Sequence, residues 1–321
     1  MITTELYTGQ GFGNQLWCYV VTRVIALDQG YDFGIEHPER FKGADFLHLD
    51  FGKEVTGILH HYQEKELRHP INGADIRTYD KALVSVADNT KIDGILQDEQ
   101  YILHRKNEIR EWVKIPEEYE CYDFSSDDIC IINFRGGEYT RHSELFLPST
   151  YWDNAIANMQ KINSNFKFIV ITDDPRAAKK FFPDFEVFHF TIAKDYTIIK
   201  NAHYLILSNS SFAWFPAWLS QDLTYCIAPK YWARHNISDG YWSCGYNITR
   251  GWMYQDREGT LHDYDFCIKQ LSEYSIHTIL DISKPYSITE TIGSTLRKKL
   301  LHMVPKSIKM IAKRFLYENK K

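Results

Sequence analysis

Tyr204-Leu205-Ile206-Leu207-Ser208-Asn209-Ser210-Ser211-Phe212-Ala213-Trp214-Phe215-Pro216-Ala217-Trp218 runs from an apolar strand, through four small polar residues, into an aromatic helix. An apolar run of this kind suits a parallel strand buried on both faces. At its carboxyl end, Ser208, Asn209, Ser210 and Ser211 offer hydroxyls and backbone N–H groups beside the positive terminus of a helix. That is the chemistry of an anion pocket, and the pyrophosphate of a sugar nucleotide would fit it. A second reading needs no ligand: Ser210 caps the helix that carries Ala213, Trp214 and Trp218. The segments on either side have to decide between them.

Moving outward from this stretch, strands and helices alternate. The pattern predicts strands over 129–133, 166–171, 204–207 and 225–228, with helices near 149–162, 176–182 and 213–219. Such alternation implies a parallel sheet covered by helices, with ligands held beyond the carboxyl ends of its strands. Three of those ends are polar: Asn133-Phe134-Arg135-Gly136-Gly137-Glu138-Tyr139, Thr172-Asp173-Asp174-Pro175 and Ser208 to Ser211. All three converge on one crevice in this topology. Arg135 suits a phosphate, because a planar guanidinium grips two oxygens at any pH, and the glycines after it allow close backbone approach. Arg135 paired with Glu138 is the structural alternative. Asp173 or Asp174 can accept hydrogen bonds from a base or ribose, or cap the helix that begins at Pro175. Adjacent aspartates are not the spaced pair that presents two carboxylates to one ion, so no metal is expected.

Earlier in the chain, Ile2 to Thr8 reads as a strand, followed by Gly9-Gln10-Gly11-Phe12-Gly13-Asn14-Gln15-Leu16-Trp17 and a helix to about Leu27. A dinucleotide fingerprint would require glycine at position 14, where Asn14 stands. Residues 36–92 show loops and short strands without firm elements, and His60-His61 read as surface histidines, since neighbours on a strand face opposite ways. Gly94-Ile95-Leu96-Gln97-Asp98-Glu99-Gln100-Tyr101 leads into a predicted helix over 99–113, and the acidic stretch 116–128 reads as an interdomain linker.

Bulk properties bound the function. With 44% hydrophobic residues in 321, the chain can bury two cores, and its net charge of −5 without a basic stripe argues against nucleic acid. Aromatic residues make up 15%, which suits cores and sugar-binding faces alike. The six cysteines are scattered, without a C-x-x-C, and read as reduced and structural. No apolar stretch approaches the roughly 20 residues of a membrane span, and no signal peptide is read, so a cytoplasmic protein is expected. Beyond Ser294 the chain is basic, with apolar residues at helical spacing interrupted by Pro305. That pattern predicts either peripheral contact with an anionic membrane or a solvated helix packed on the N-terminal domain.

Taken in order, these motifs resemble those of the α1,2-fucosyltransferases, glycosyltransferase family 11. Gly9 to Gln15 is similar to G-G-L-G-N-Q and Gly94 to Tyr101 to G-Y-x-Q-S-x-x-Y. Asn133 to Tyr139 aligns with H-x-R-R-G-D-Y, Thr172 to Pro175 with S-D-D, and Leu205 to Trp214 with I-L-S-N-S-S-F-S-W. The resemblance covers roughly residues 5–235 and implies an α/β protein of two Rossmann-like domains (the glycosyltransferase B type), with the donor site in the C-terminal domain. It implies an N-terminal domain over 1–122, a sugar-nucleotide domain over 123–290 and a basic tail over 291–321. The implied activity is inverting and metal-independent, without a cofactor. L-fucose would pass from GDP-fucose in α1,2 linkage to an oligosaccharide or lipid-linked glycan in surface polysaccharide synthesis.

By position, Arg135 would hold the β-phosphate, and Ser210, Ser211 and Phe212 the pyrophosphate. Asp173 or Asp174 would take the guanosine side, and Asn14, with Gly11, Gly13 and Gln15 around it, would face sugar and acceptor. Glu138 is the candidate catalytic base, the alternative being none beyond the leaving phosphate. The chain departs from the family at Asn133 (His), Gly136 (the second Arg) and Glu138 (Asp). The lost arginine leaves two alternatives open: another GDP-sugar as donor, or a non-catalytic sugar-nucleotide or glycan-binding protein.

Overall fold

The computed structural model describes residues 1–68, 75–76, 79–236, 248–273 and 280–281. The basic segment after Ser294 lies outside the described residues. Residues 1–280 form one compact unit built on two main, mostly parallel sheets. In the first, β1 (Ile2–Glu5) leads to α1 (Phe12–Asp28), β2 (Phe33–Glu36) and β3 (His60–Gln63). The two-residue strands β4 (Leu67–Arg68) and β5 (Asp75–Ile76) pair antiparallel, and β6 (Thr90–Asp93) returns to the sheet. Its order is β2-β1-β6-β3, parallel throughout.

The second sheet follows α2 (Lys106–Trp112) and contains β7 (Ile129–Phe134), β8 (Lys167–Thr172), β9 (Glu186–Phe188), β10 (Tyr204–Ile206), β11 (Tyr225–Pro229), β12 (Met253–Gln255) and β13 (Leu261–His262). Helices α3 (Ser149–Gln160), α4 (Pro175–Phe181), α5 (Ile192–Lys200), α6 (Ser211–Leu219) and α7 (Tyr264–Glu273) connect or follow these strands. Its order is β13-β12-β11-β10-β7-β8-β9, parallel except for the last hairpin, β12 with β13. Counted from β7, the six parallel strands run 3-2-1-4-5-6, the doubly wound order, whose direction reverses between its first and fourth strands, here β7 and β10. The apolar strands are buried as their composition demands: Ile131, Ile132, Ile169, Val170, Leu205 and Ile206 are each 0% exposed.

One core cluster runs from Ile2 and α1 through Ile131 and Ile169 to α6, and a second covers the other face of the larger sheet. The aromatic helix belongs to this interior. Trp17 meets Trp214 with ring centroids 4.4 Å apart, and Trp214 stacks on Trp218.

Several expectations are corrected. The single helix over 99–113 is two 3-10 turns, Glu99–Tyr101 and Leu103–Arg105, followed by the short α2. Tertiary bonds explain the break: the Glu99 carboxylate accepts from Trp218 Nε1 at 2.6 Å and from Thr249 Oγ1, and the Tyr101 hydroxyl accepts from Asp80 N. The stretch 116–128 is no free linker, since Glu120 accepts from Lys200 Nζ and Asn201 Nδ2 beside the end of α5. Elements β9, α5, β12 and β13 went unforeseen because three are only two or three residues long and α5 follows too closely to show a clean period. His60 and His61 lie exposed on β3. The five cysteines among the described residues are free.

Candidate donor-binding cleft

The reversal between β7 and β10 opens a crevice at the carboxyl ends of the strands, and a cleft of about 260 Å³ lies there. At its floor the two strand ends are stitched together, with Ser208 Oγ donating to Asn133 Oδ1 at 2.8 Å in a fully buried contact. Ser210 caps α6, its Oγ accepting from Phe212 N at 3.3 Å, so the cap reading of the sequence is correct. It does not displace the anion reading: Ser210, Ser211 and Phe212 all line the cleft at the positive end of this helix.

Arg135 projects from the loop after β7. Its Nη1 lies 2.6 Å from Asp173 Oδ2 and its Nη2 3.3 Å from Glu138 Oε1, with the guanidinium 5.4 Å from the centroid of the Tyr139 ring. Asp173 also accepts from Gly136 N at 2.8 Å, so this carboxylate holds both the loop and the arginine. The two aspartates read together in sequence therefore part company. Asp174 is the N-cap of α4, accepting from Ala177 N at 2.9 Å, and is not among the cleft-lining residues.

The other wall comes from the start of α1. Gly11, Gly13 and Asn14 line it, and Asn14 Oδ1 accepts from Ser211 Oγ at 2.6 Å and from Gln97 Nε2 at 2.8 Å. Three separated motifs thus meet at one side chain. Gly13 serves this junction by its lack of a side chain: a Cβ there would stand 2.4 Å from the carbonyl of Ser211 and 2.5 Å from Phe212 N. Gln15 is buried outside the cleft, bonding Arg40 O and Lys42 N, and so acts on the loop 40–42.

Sequence reasoning missed Lys42, His189 and Asp195, all of which line the cleft. His189 follows the unforeseen β9. Its Nδ1 is 3.1 Å from Asp195 Oδ2, while Phe190 N donates to Asp195 Oδ1. Burial pushes the Asp195 carboxyl above its ordinary range, although the bonds from Phe190 N and His189 pull the other way. With β9 only three residues long, Glu186-Val187-Phe188, the sequence carried no clear signal for His189. Lys42 carried none. Among the described residues, no group of three His, Cys, Asp or Glu is arranged to hold a metal ion.

Residues 77–256, more than half of the chain, match the profile of glycosyl transferase family 11. The chain belongs to that family. Four of the five motifs fall inside the matched residues, while Gly9 to Gln15 precedes them. An α-1,2-colitosyltransferase of Escherichia coli is 27% identical over 179 residues, which are 50% of this chain and 62% of that protein. The match therefore spans less than two thirds of the relative's own length. Among solved structures, the NodZ α-1,6-fucosyltransferase soaked with GDP-fucose aligns over 68% of this family 11 chain and 91% of its own, at 14% identity and a TM-score of 0.38. The heptosyltransferase WaaC of E. coli with ADP aligns over 84% and 98%, at 12% identity and a TM-score of 0.41. Likenesses at these scores carry no argument for substrate or mechanism. No described helix is long and apolar enough to cross a membrane.

Proposed function

We propose that the protein is an inverting, metal-independent glycosyltransferase of the B type, binding a GDP-sugar between the two sheets with the donor on the C-terminal side. The observation that carries this reading is the convergence of Arg135 and the capped start of α6 on the topological switch point, with Asn14 bonded to Ser211 across the same cleft. In the proposed step, the acceptor hydroxyl oxygen bonds to the anomeric carbon while the bond from that carbon to the diphosphate breaks. The bond's electron pair leaves with the diphosphate, and the acceptor proton passes to the Glu138 carboxylate. Arg135 and the positive end of α6 stabilise the charge that develops on the leaving group. A fixed guanidinium and a helix terminus can do this without a cation.

L-fucose in α1,2 linkage is the donor and bond proposed, on the family's motifs. The colitosyl specificity in the relative's name supports a second reading, the same linkage with another GDP-sugar. A lipid-linked or free oligosaccharide of surface polysaccharide is the acceptor class proposed. Calorimetry with GDP, GDP-fucose, GDP-mannose and UDP-sugars tests the donor, followed by GDP release with and without a panel of galactosides. Binding of GDP-fucose with acceptor-dependent release supports the reading. Tight binding with no turnover on any acceptor would make the protein a sugar-nucleotide binder, and no affinity for any nucleoside diphosphate would remove the donor site altogether.

A further inference from the structure

The charge in the cleft is poorly matched to a diphosphate. Glu138, Asp173 and Asp195 all line it; Arg135 is already shared between the first two, and His189 lies 3.1 Å from the third. A nucleoside diphosphate adds several negative charges, and a partly desolvated site tolerates these only if a cation is free to meet them. Position 136, beside Arg135, has no room for one: a Cβ on Gly136 would stand 2.7 Å from Asp174 Cβ, with Phe134 and Ala177 atoms at 3.2 and 3.3 Å.

The facing wall supplies the missing charge. Lys42 lines the same cleft, is exposed, and its ammonium has no partner among the described residues. Its backbone is held from several sides. Lys42 N donates to Gln15 Oε1 at 2.9 Å, and Gln15 Nε2 donates to Arg40 O at 2.8 Å from a fully buried position on α1. Phe41, 4% exposed, packs on Phe12 with centroids 5.8 Å apart. Gly43 is crowded by the same rings, since a Cβ there would meet Phe12 at 2.5 Å and Phe41 at 2.7 Å. A flexible, strongly hydrated ammonium is thus carried on a fixed stretch of backbone lining an anion site.

We propose that Lys42 is a ligand of the leaving diphosphate, reaching it from the wall opposite Arg135 and standing in for the cation that position 136 cannot hold. The proposal rests on the sugar-nucleotide reading of the cleft. As the bond from the anomeric carbon to the diphosphate breaks, the electron pair moves to the diphosphate oxygens, so a contact with Lys42 strengthens toward the transition state. Gln15 is then a positioning residue, which explains why a motif glutamine is buried away from the cleft it serves.

Titration of GDP and of guanosine into the full chain and its Lys42→Ala, Lys42→Arg and Arg135→Ala variants tests the assignment. Lys42→Ala is expected to weaken GDP about tenfold, to flatten the salt dependence of GDP binding, and to leave guanosine affinity and melting temperature unchanged. Lys42→Arg is expected to restore most of the GDP affinity. If Lys42→Ala binds GDP as the wild type does while Arg135→Ala does not, Lys42 is no ligand and the donor site stands. A loss shared equally by guanosine, or accompanied by a lower melting temperature, makes Lys42 structural and overturns the assignment. If the wild type binds no nucleoside diphosphate, the sugar-nucleotide reading falls and this proposal with it.

Discussion

Two glycine-bearing junctions face each other across the cleft, and they use their glycines in opposite ways. After β1, Gly13 presses against the backbone of Ser211, Asn14 joins Ser211 to Gln97, and Gln15 is buried as a splint. No charged residue belongs to that turn. After β7, Gly136 and Gly137 fold the chain closely around Asp173 and Asp174, and the turn displays Arg135 and Glu138, the latter 69% exposed. The first junction spends its glycines on joining two helices, the second on crowding charge beside a crevice. Both look alike as glycine-rich loops after a strand. What separates them is the partner across the gap: an uncharged helix start for one, a pair of aspartates for the other.

If the second junction carries the chemistry, Arg135→Ala should show the largest effect. Losing a charge-assisted donor to the leaving group costs on the order of 3 kcal/mol in the transition state, about a hundredfold in rate. Transfer assays and thermal melts on the same preparation separate the possibilities. Melting temperature is expected to stay within a few degrees and Arg135→Lys to recover little. Unfolding instead would reduce the Arg135, Glu138 and Asp173 group to a structural knot.

For the first junction the expected loss is stability rather than affinity for an anion. Gly13→Ala forces a methyl into the contact between α1 and α6, and overpacking of this kind typically costs about 1–3 kcal/mol. A melt that matches wild type would mean that the two helix starts can separate freely. Gly136→Arg, which restores the residue expected of the family, sharpens the contrast from the other side. It should lower the melting temperature without raising GDP affinity, because Asp174 occupies the space. A gain in GDP affinity would show that the loop can re-form around an arginine.

Asn14 belongs to the first junction yet lines the cleft that the second one charges, so its substitution is the finer probe. Asn14→Ala is expected to reduce transfer about tenfold while GDP affinity stays near wild type, the signature of a group that acts on the sugar or acceptor rather than the diphosphate. Equal losses in both would assign Asn14 to the packing of Ser211 and Gln97 alone.

A pH-dependent effect concerns the support of the first junction. Asp98, next to Gln97, is 2% exposed, and burial pushes its carboxyl up to about 7. An acid whose folded pKa lies above its unfolded value near 4 stays protonated in the folded state until the pH approaches 7. Its contribution to stability is full below pH 4 and is lost as pH rises to 7. Asp98→Asn should therefore gain most in melting temperature over wild type at pH 8 and least near pH 4, an order that a pH series of melts would reverse if the folded carboxyl titrated below its unfolded value.

The larger sheet was legible because its strands announce themselves. Continuous runs such as Phe168 to Ile171 and Leu205 to Leu207 can only be buried on both faces, and alternation with helices then implies parallel pairing and a crevice at the carboxyl ends. The motif residues Arg135, Asp173, Ser210, Ser211 and Asn14 were found on this logic and on family resemblance, and the fold brings all five to one cleft. Elements of two or three residues, such as β9 and β12, were not legible, since a period of two cannot be read over so few positions. With β9 unseen, His189 and Asp195 had no strand end to belong to.

By itself the sequence determined the class of fold, the family, and the order of the ligand-facing loops, because those follow from burial and from runs of residues adjacent in the chain. Only the tertiary structure decided which of two neighbouring aspartates grips the arginine and which caps a helix, why no side chain fits at position 136, and that Lys42 lines the same cleft as Arg135. Apart from the cap itself, each of these depends on the approach of residues tens of positions apart, and spacing along the chain does not encode it.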